Sequence, residues 1–225
     1  MSEKRIDPTS GQFIDPLFAV IIAAALAETI LPWAKRTEFP SLLDVATVAL
    51  GFINLLLSWF GYHKSVIRRP IKGSLRFIVT VVLLPAYLLT IVMYESGALF
   101  ISSSYFFVFA LWHFWEWMKS VEYPEVDFGL IANWFRAYNV LVSLALMISL
   151  LDHYSLLPTE NYSDGLLNVT CLALIAVAIL WLRTAKSLKR GDGAIHGIAS
   201  AIVFALFGRK IGASDDEKDQ PEESA

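Results

Sequence analysis

Six long apolar runs constrain this chain more than any other feature of its sequence. The hydrocarbon core of a bilayer is about 30 Å thick, and roughly 20 apolar residues in an α-helix are needed to cross it. The runs cover residues 13–33, 41–62, 75–94, 98–118, 134–151 and 165–182. Because backbone polar groups must be satisfied internally in lipid, each run predicts a helix. We therefore predict an all-α integral membrane protein with six transmembrane helices.

The same pattern divides the chain into segments. Residues 1–12 are predicted to form a cytoplasmic N-terminal tail, and residues 13–183 the transmembrane domain. Residues 184–211 combine a basic linker with the short apolar run 194–208, for which we expect an interfacial amphipathic helix, although a seventh span also fits it. Residues 212–225 are rich in acids and poor in apolar side chains, a composition typical of disorder.

Lysine and arginine are distributed unevenly between the predicted loops, which indicates an orientation. Loops that stay in the cytoplasm carry an excess of these residues. The basic residues concentrate after the second and the sixth run: Lys64, Arg68, Arg69, Lys72 and Arg76, then Arg183, Lys186, Lys189 and Arg190. With six spans, this pattern predicts that both termini are cytoplasmic. Only Lys35 and Arg36 then lie on the outer side against the rule.

Charge and motifs exclude several classes of function. The formal net charge is −3, but the acids concentrate in the C-terminal tail and the rest of the chain is mildly basic, so a nucleic-acid partner is not indicated. Cys171 is the single cysteine, and it lies in an apolar run. The sequence contains no motif for catalysis or cofactor binding, and we predict no enzymatic activity, no cofactor and no metal site.

His113 and Glu116 are the strongest signal for a different class of protein, an intramembrane enzyme. They lie three residues apart on the fourth predicted helix and share a face. A metal site needs further ligands, and no second pair of this kind occurs in the sequence. We therefore favour the interpretation that both are polar side chains at the membrane interface, among the tryptophans of that helix.

The first run carries two acids, Asp15 and Glu28, although charge inside a membrane is costly and usually faces a pathway or a partner. At about 100° per residue, one stripe of this helix contains Phe13, Val20, Ala24, Ala27 and Leu31. The stripe is compatible with the lining of a narrow pore between several copies and with an ordinary packing seam between helices, and periodicity alone favours the seam. Glu28, near the predicted outer end, would attract cations at a pore mouth or hydrogen-bond a neighbouring helix.

The first three runs and the residue just after the second contain a set of positions that together form a pattern. They are Phe13, Asp15, Phe18, Ala19, Glu28 and Pro32 in the first run, Trp59 and His63 at the end of the second, and the Leu-Leu-Pro sequence that ends at Pro85 in the third. In this register the chain resembles the potassium channels related to transmembrane protein 175, which occur in bacteria and in lysosomes. The resemblance implies a homotetramer in a bacterial plasma membrane, with the first helices around a pore for a monovalent cation. It also implies that Phe13 and Asp15 anchor the first helix to its neighbours.

The chain departs from this family's pattern within the first helix. Ile14 and Pro16 stand where the family has serine and another small residue, and the bulky layers that close the pore would fall on Val20, Ala24 and Ala27. Two alanines at these layers imply a wider or differently gated pore, or none. The alternative is a non-conducting membrane scaffold or accessory subunit that recruits partners through its cytoplasmic loops and tail.

Overall fold

The computed structural model describes residues 9–125, 128–156 and 164–188, and within these ranges the chain is all-α. Six α-helices follow one another: α1 (Thr9–Lys35), α2 (Leu42–Arg68), α3 (Ser74–Val92), α4 (Gly97–Glu122), α5 (Phe128–His153) and α6 (Asp164–Leu188). A 3₁₀ turn, Met93–Glu95, follows α3 directly. The N-terminal tail lies mostly, and the predicted helix at 194–208 and the acidic tail lie entirely, outside the described residues.

Five of the helices, α1 to α4 and α6, are long and apolar enough to cross a membrane. The apolar part of α5 that can be assessed in this way, Tyr138–His153, is shorter. The whole of α5 has 26 residues, which corresponds to a length of about 39 Å. The prediction of an all-α integral membrane protein is therefore confirmed.

The described residues as far as Leu180 form one compact unit, and Trp181–Leu188 belongs to a second. In the first unit, the inner end is the end at which α2 stops and α3 begins. The charge pattern predicts that this end is cytoplasmic. The outer end is the one at which α1 and α3 end. These two names are used below for all contacts in this unit.

The helices extend beyond the apolar runs that predict them. α1 begins at Thr9, before the predicted run 13–33. Pro16 removes one backbone donor in the first part of the helix, and α1 continues through it. Asp15 lies inside α1, and its carboxylate accepts a hydrogen bond from Trp59 of α2.

Both ends of α2 have a local explanation. The Ser41 hydroxyl accepts a hydrogen bond from the Asp44 amide at 3.1 Å, and the Asp44 carboxylate accepts one from the Ser41 amide at 3.2 Å. Such a capping box contributes about 1 kcal/mol to helix stability. At its other end α2 continues to Arg68 rather than stopping at Tyr62, because lysine and arginine after the apolar run are good helix formers.

α3 lies at the centre of the first unit and contacts α1, α2 and α4, while α4 also packs on α5. The buried side chains of α3 include Val79, Leu83, Leu84, Tyr87 and Ile91. A Cβ on Gly51 of α2 would lie 2.6 Å from Cγ1 of Ile91, so α2 and α3 approach this closely only because position 51 has no side chain. Pro85, one of the motif positions, is exposed, and α3 continues through it.

Polar side chains tie α3 to its neighbours within the membrane. The Tyr87 hydroxyl donates to Ser58 of α2 and accepts from the Trp112 indole of α4. The Thr80 hydroxyl accepts from the Trp115 indole at 3.0 Å. Hydrogen bonds between membrane helices contribute about 0.6 kcal/mol each on average. Helices α2, α3 and α4 therefore form a scaffold against which α1 can be positioned.

Candidate functional site on the first helix

The inner half of α1 is fastened to α2 by three polar side chains, Asp15, Trp59 and His63, which we call the clasp. The Trp59 indole donates to Oδ1 of Asp15 at 3.2 Å. Nδ1 of His63 lies 3.2 Å from the same oxygen. Trp59 and His63 are four residues apart on α2, so they share a face. The clasp is open to its surroundings, because the Asp15 and His63 side chains are 39% and 45% exposed.

An aromatic contact lies beside the clasp. Phe18 is buried, and its ring centroid lies 6.3 Å from that of Trp59 and 6.1 Å from that of Tyr62. Phe18 follows Asp15 by less than one turn of α1, so polar and apolar contacts act on the same part of the helix. Phe13 lies in α1, but its side chain is outside the part of the chain that the structure describes. The motif residues Asp15, Phe18, Trp59 and His63 are thus neighbours in space.

One face of α1 packs against α2 and α3. Its buried residues are Ile14, Phe18, Ala25 and Thr29, which are spaced as one side of an α-helix requires. The Thr29 hydroxyl donates to the Ala25 carbonyl, so this buried polar group is satisfied within the helix. Since α1 packs on α2 and α3 through this face, the intrachain seam differs from the stripe that periodicity singles out.

The predicted stripe points away from the rest of its own chain. Val20 and Leu31 are 61% and 56% exposed, Ala27 is exposed, and Ala24 is partly buried. At about 100° per residue, Val20, Ala27 and Leu31 lie on the side opposite to the buried face. Among the described residues the stripe is therefore not a packing seam, and its exposed side chains are available to lipid or to another molecule.

Glu28 is exposed at the edge of this stripe. It precedes Lys35, the last residue of α1, by seven positions, or about 10 Å along the helix axis. None of the ion pairs among the described residues includes Glu28. A carboxylate on a spanning helix, exposed and without an ion-pair partner among the described residues, needs water, lipid headgroups or a further protein surface to stabilise its charge.

The outer end of α1 also contacts the residues that follow α3. The Trp33 indole donates to the Tyr94 hydroxyl at 2.9 Å, with the two rings edge to face. Arg36 Nη2 and Glu95 Oε1 form an ion pair at 2.6 Å. The hydrogen bond to Glu95 raises the pKa of Arg36 above its ordinary value. One of the two basic residues that violate the charge rule is therefore paired with an acid.

A cluster of charged residues at the inner end was not predicted from the sequence. Arg76 of α3 is completely buried, and its Nη1 lies 2.7 Å from Oε2 of Glu122 of α4. The guanidinium also lies 4.3 Å from the Trp115 ring centroid. Glu116 and Lys119, three residues apart on α4, form a second buried ion pair. The spacing of Glu116 and Lys119 could have indicated this second pair from the sequence, because side chains three residues apart share a helix face.

The pair His113 and Glu116 is therefore not an isolated polar feature. Glu116 is paired with Lys119, and the described residues contain no group of three or more His, Cys, Asp or Glu side chains arranged to hold a metal ion. Cys171 is buried, with its sulfur 3.2 Å from the Ser149 hydroxyl.

The clasp and the outer contacts fix α1 at both ends, and the stripe with Glu28 is left facing outwards.

Comparisons of the chain with family models, with curated proteins and with solved structures found no match.

Proposed function

We propose that this chain is the subunit of an oligomeric cation channel in which α1 lines the central path. The observation that carries the proposal is the orientation of α1. Its buried face is held against α2 and α3, while the exposed stripe with Val20, Ala27 and Leu31 faces away from the protomer. When several copies surround an axis, such stripes can form a shared lining.

The exposed acid on α1 fits a path for cations. Glu28 is exposed toward the outer end of the helix, whereas Asp15 is turned toward α2 and belongs to the clasp. A charged side chain facing lipid is costly, whereas a water-filled path solvates it. An acidic side chain near the mouth of such a path favours cations over anions. Glu28 therefore supports a cation path more than an anion path.

The resemblance to potassium channels makes the proposal more specific. Asp15, Phe18, Trp59 and His63 occupy the positions of that family's motifs, and in this chain they lie side by side at the α1–α2 contact. We therefore propose a homotetramer with potassium as the permeant ion and with both termini in the cytoplasm. The clasp holds the orientation of α1 in this arrangement.

A non-conducting scaffold or accessory subunit is the second candidate, and the size of two side chains favours it. Ala24 and Ala27 lie on the outward side of α1, where small residues allow helices from different molecules to pack closely. Helices in such close contact leave no space for a hydrated ion. The two candidates therefore predict opposite properties for the same surface.

Potassium flux from liposomes separates these candidates. The full-length protein would be purified, its oligomeric state measured, and the oligomer reconstituted at known orientation and density. We expect potassium flux that depends on the amount of protein and exceeds chloride flux. A stable oligomer without flux above that of protein-free liposomes would refute the channel proposal and support the scaffold.

A further inference from the structure

The loop between α2 and α3 at the inner end, residues 69–73, is held in one conformation by contacts to α4 and the residue after it. Oε1 of Glu122 accepts from the Gly73 amide at 2.8 Å, and Oε2 accepts from the Lys72 amide at 3.3 Å. The Tyr123 hydroxyl donates to the Pro70 carbonyl at 2.7 Å. Ile71, within the loop, has a buried side chain. The side chains of this loop are therefore presented from a fixed backbone.

The acidic side chains around this loop are already paired with cations. Glu122 pairs with Arg76, and Oε1 of Glu125 lies 3.9 Å from Nε of Arg69. Glu116 is paired with Lys119 further along α4. The ion pairs among the described residues include neither Arg68 nor Lys72. Two positive charges at the inner end are thus left without a described acidic partner.

Arg68 and Lys72 are both exposed, and each has an exposed apolar neighbour in the chain. Ile67, just before Arg68, is 76% exposed, and Leu75, three residues after Lys72, is 52% exposed. Nζ of Lys72 lies 4.2 Å from the centroid of the Tyr123 ring, and burial raises the pKa of that tyrosine. Cations beside apolar side chains at the ends of spanning helices are typical of the boundary between headgroups and hydrocarbon.

We infer that Arg68 and Lys72 bind the phosphate group of an anionic phospholipid of the phosphatidylglycerol type. The Arg68 guanidinium offers paired donors that match two phosphate oxygens, and the Lys72 ammonium adds a point charge. The exposed Ile67 and Leu75 side chains would contact the adjoining acyl chains. A soluble phosphate has no such apolar part, so the two kinds of side chain together select a lipid. This inference does not depend on ion conduction.

Spin-labelled lipids can measure the preference of the full-length protein for phosphatidylglycerol over phosphatidylcholine. The protein would be reconstituted in phosphatidylcholine, and the fraction of motionally restricted label compared for phosphatidylglycerol and phosphatidylcholine probes. A basic residue near the surface contributes roughly 1 kcal/mol to binding an anionic membrane, so each lost charge should lower the phosphatidylglycerol preference about fivefold. We expect this for Arg68→Gln and for Lys72→Gln, and a larger loss in the double variant.

Matched variants and a soluble competitor decide the outcome. Lys35→Gln removes one exposed cation from the outer end of α1 and should leave the preference unchanged. Arg68→Lys with Lys72→Arg keeps both charges and should retain most of it. The inference is overturned if the double glutamine variant binds both probes as the unsubstituted protein does, if Lys35→Gln has an equal effect, or if inorganic phosphate at low millimolar concentration displaces the lipid probe.

Discussion

Arg76 of α3 and Glu122 of α4 form an ion pair across the inner end, with 2.7 Å between Nη1 and Oε2, and the Arg76 side chain is completely buried. The Glu122 carboxylate also accepts hydrogen bonds from the backbone amides of Lys72 and Gly73. One pair of side chains therefore connects two helices with the loop that precedes α3.

Removing one member of this pair should destabilise the protein strongly. Arg76→Gln leaves the Glu122 carboxylate largely buried without its cation, and losing one partner of a buried pair costs about 3–5 kcal/mol. We expect a large fall in the midpoint of thermal unfolding of the detergent-solubilised protein. Arg68→Gln, at an exposed position, serves as the control, with an expected change within about 0.5 kcal/mol.

A second variant tests whether pairing, rather than the size of the side chain, is responsible. Arg76→Met combined with Glu122→Gln removes both charges and keeps a side-chain oxygen that can accept from the Gly73 amide, so that no isolated charge is left buried. The double variant should therefore be more stable than Arg76→Gln. Equal midpoints for Arg76→Gln and Arg68→Gln would contradict the importance of the pair.

The clasp makes a smaller contribution that can be measured separately. Trp59→Phe keeps an aromatic ring beside Phe18 but removes the hydrogen bond to Asp15. We expect a loss of about 1 kcal/mol in the free energy of unfolding, because this partly exposed hydrogen bond has a modest net value. The same change at Trp117, an exposed ring stacked on Phe114, is the control.

The position of α1 gives a second readout for the clasp. Spin labels on α1 and α2, placed away from the contact, should show a broader distance distribution in Trp59→Phe than in Trp117→Phe. If the two variants give the same distribution and the same stability, the clasp does not hold α1.

The six described helices could be predicted from the sequence because each contains a long apolar run, which is a local property, although the run in α5 is shorter than the others. The helix ends were missed for a physical reason as well. α2 continues past Tyr62 through basic residues that favour a helix but do not enter hydrocarbon. The apolar run therefore ends before the helix does. At Thr9 the beginning of α1 is likewise more polar than its centre.

The candidate site could be predicted only in part. Asp15, Trp59 and His63 were selected as motif positions, but their mutual contact depends on how α1 lies on α2, which no local pattern determines. Arg76 and Glu122 are 46 residues apart, and each by itself resembles an ordinary charge at a helix end. Their burial follows from the packing of α3 on α4, which is a tertiary property.

Val20 tests the proposed lining of the path. Val20→Ala removes two methyl groups from the only branched residue among the three predicted layers, and this should lower the barrier to a hydrated cation. A reduction of about 1 kcal/mol corresponds to a roughly fivefold rise in flux. Val140→Ala on α5 is a matched control, because Val140 is 63% exposed and Val20 is 61% exposed.

Liposome flux and single-channel recording would measure the effect of Val20→Ala. The flux of larger monovalent cations should rise more than that of potassium, since the change widens the path. If Val20→Ala and Val140→Ala both conduct as the unsubstituted protein does, Val20 faces lipid and the proposed lining is wrong.

Glu28 should act on the same path through its charge. Two unit charges about 4 Å apart interact by about 1 kcal/mol in water, so Glu28→Gln should lower the potassium conductance by up to about fivefold at low ionic strength. The effect should fade as salt increases, because the screening length is about 10 Å at 0.1 M. It should also reduce the preference for potassium over chloride in reversal-potential measurements.

Glu38→Gln provides the matched control for this experiment. Glu38 is an exposed acid in the link after α1, so the variant makes the same change of charge at the same end of the unit but away from the stripe. A channel lined by α1 responds to Glu28→Gln more strongly than to Glu38→Gln, and the difference disappears at high salt. Equal conductance and selectivity in the two variants at low salt would place Glu28 outside the ion path, because a charge in that path acts on the ion over a shorter distance than a charge in the link.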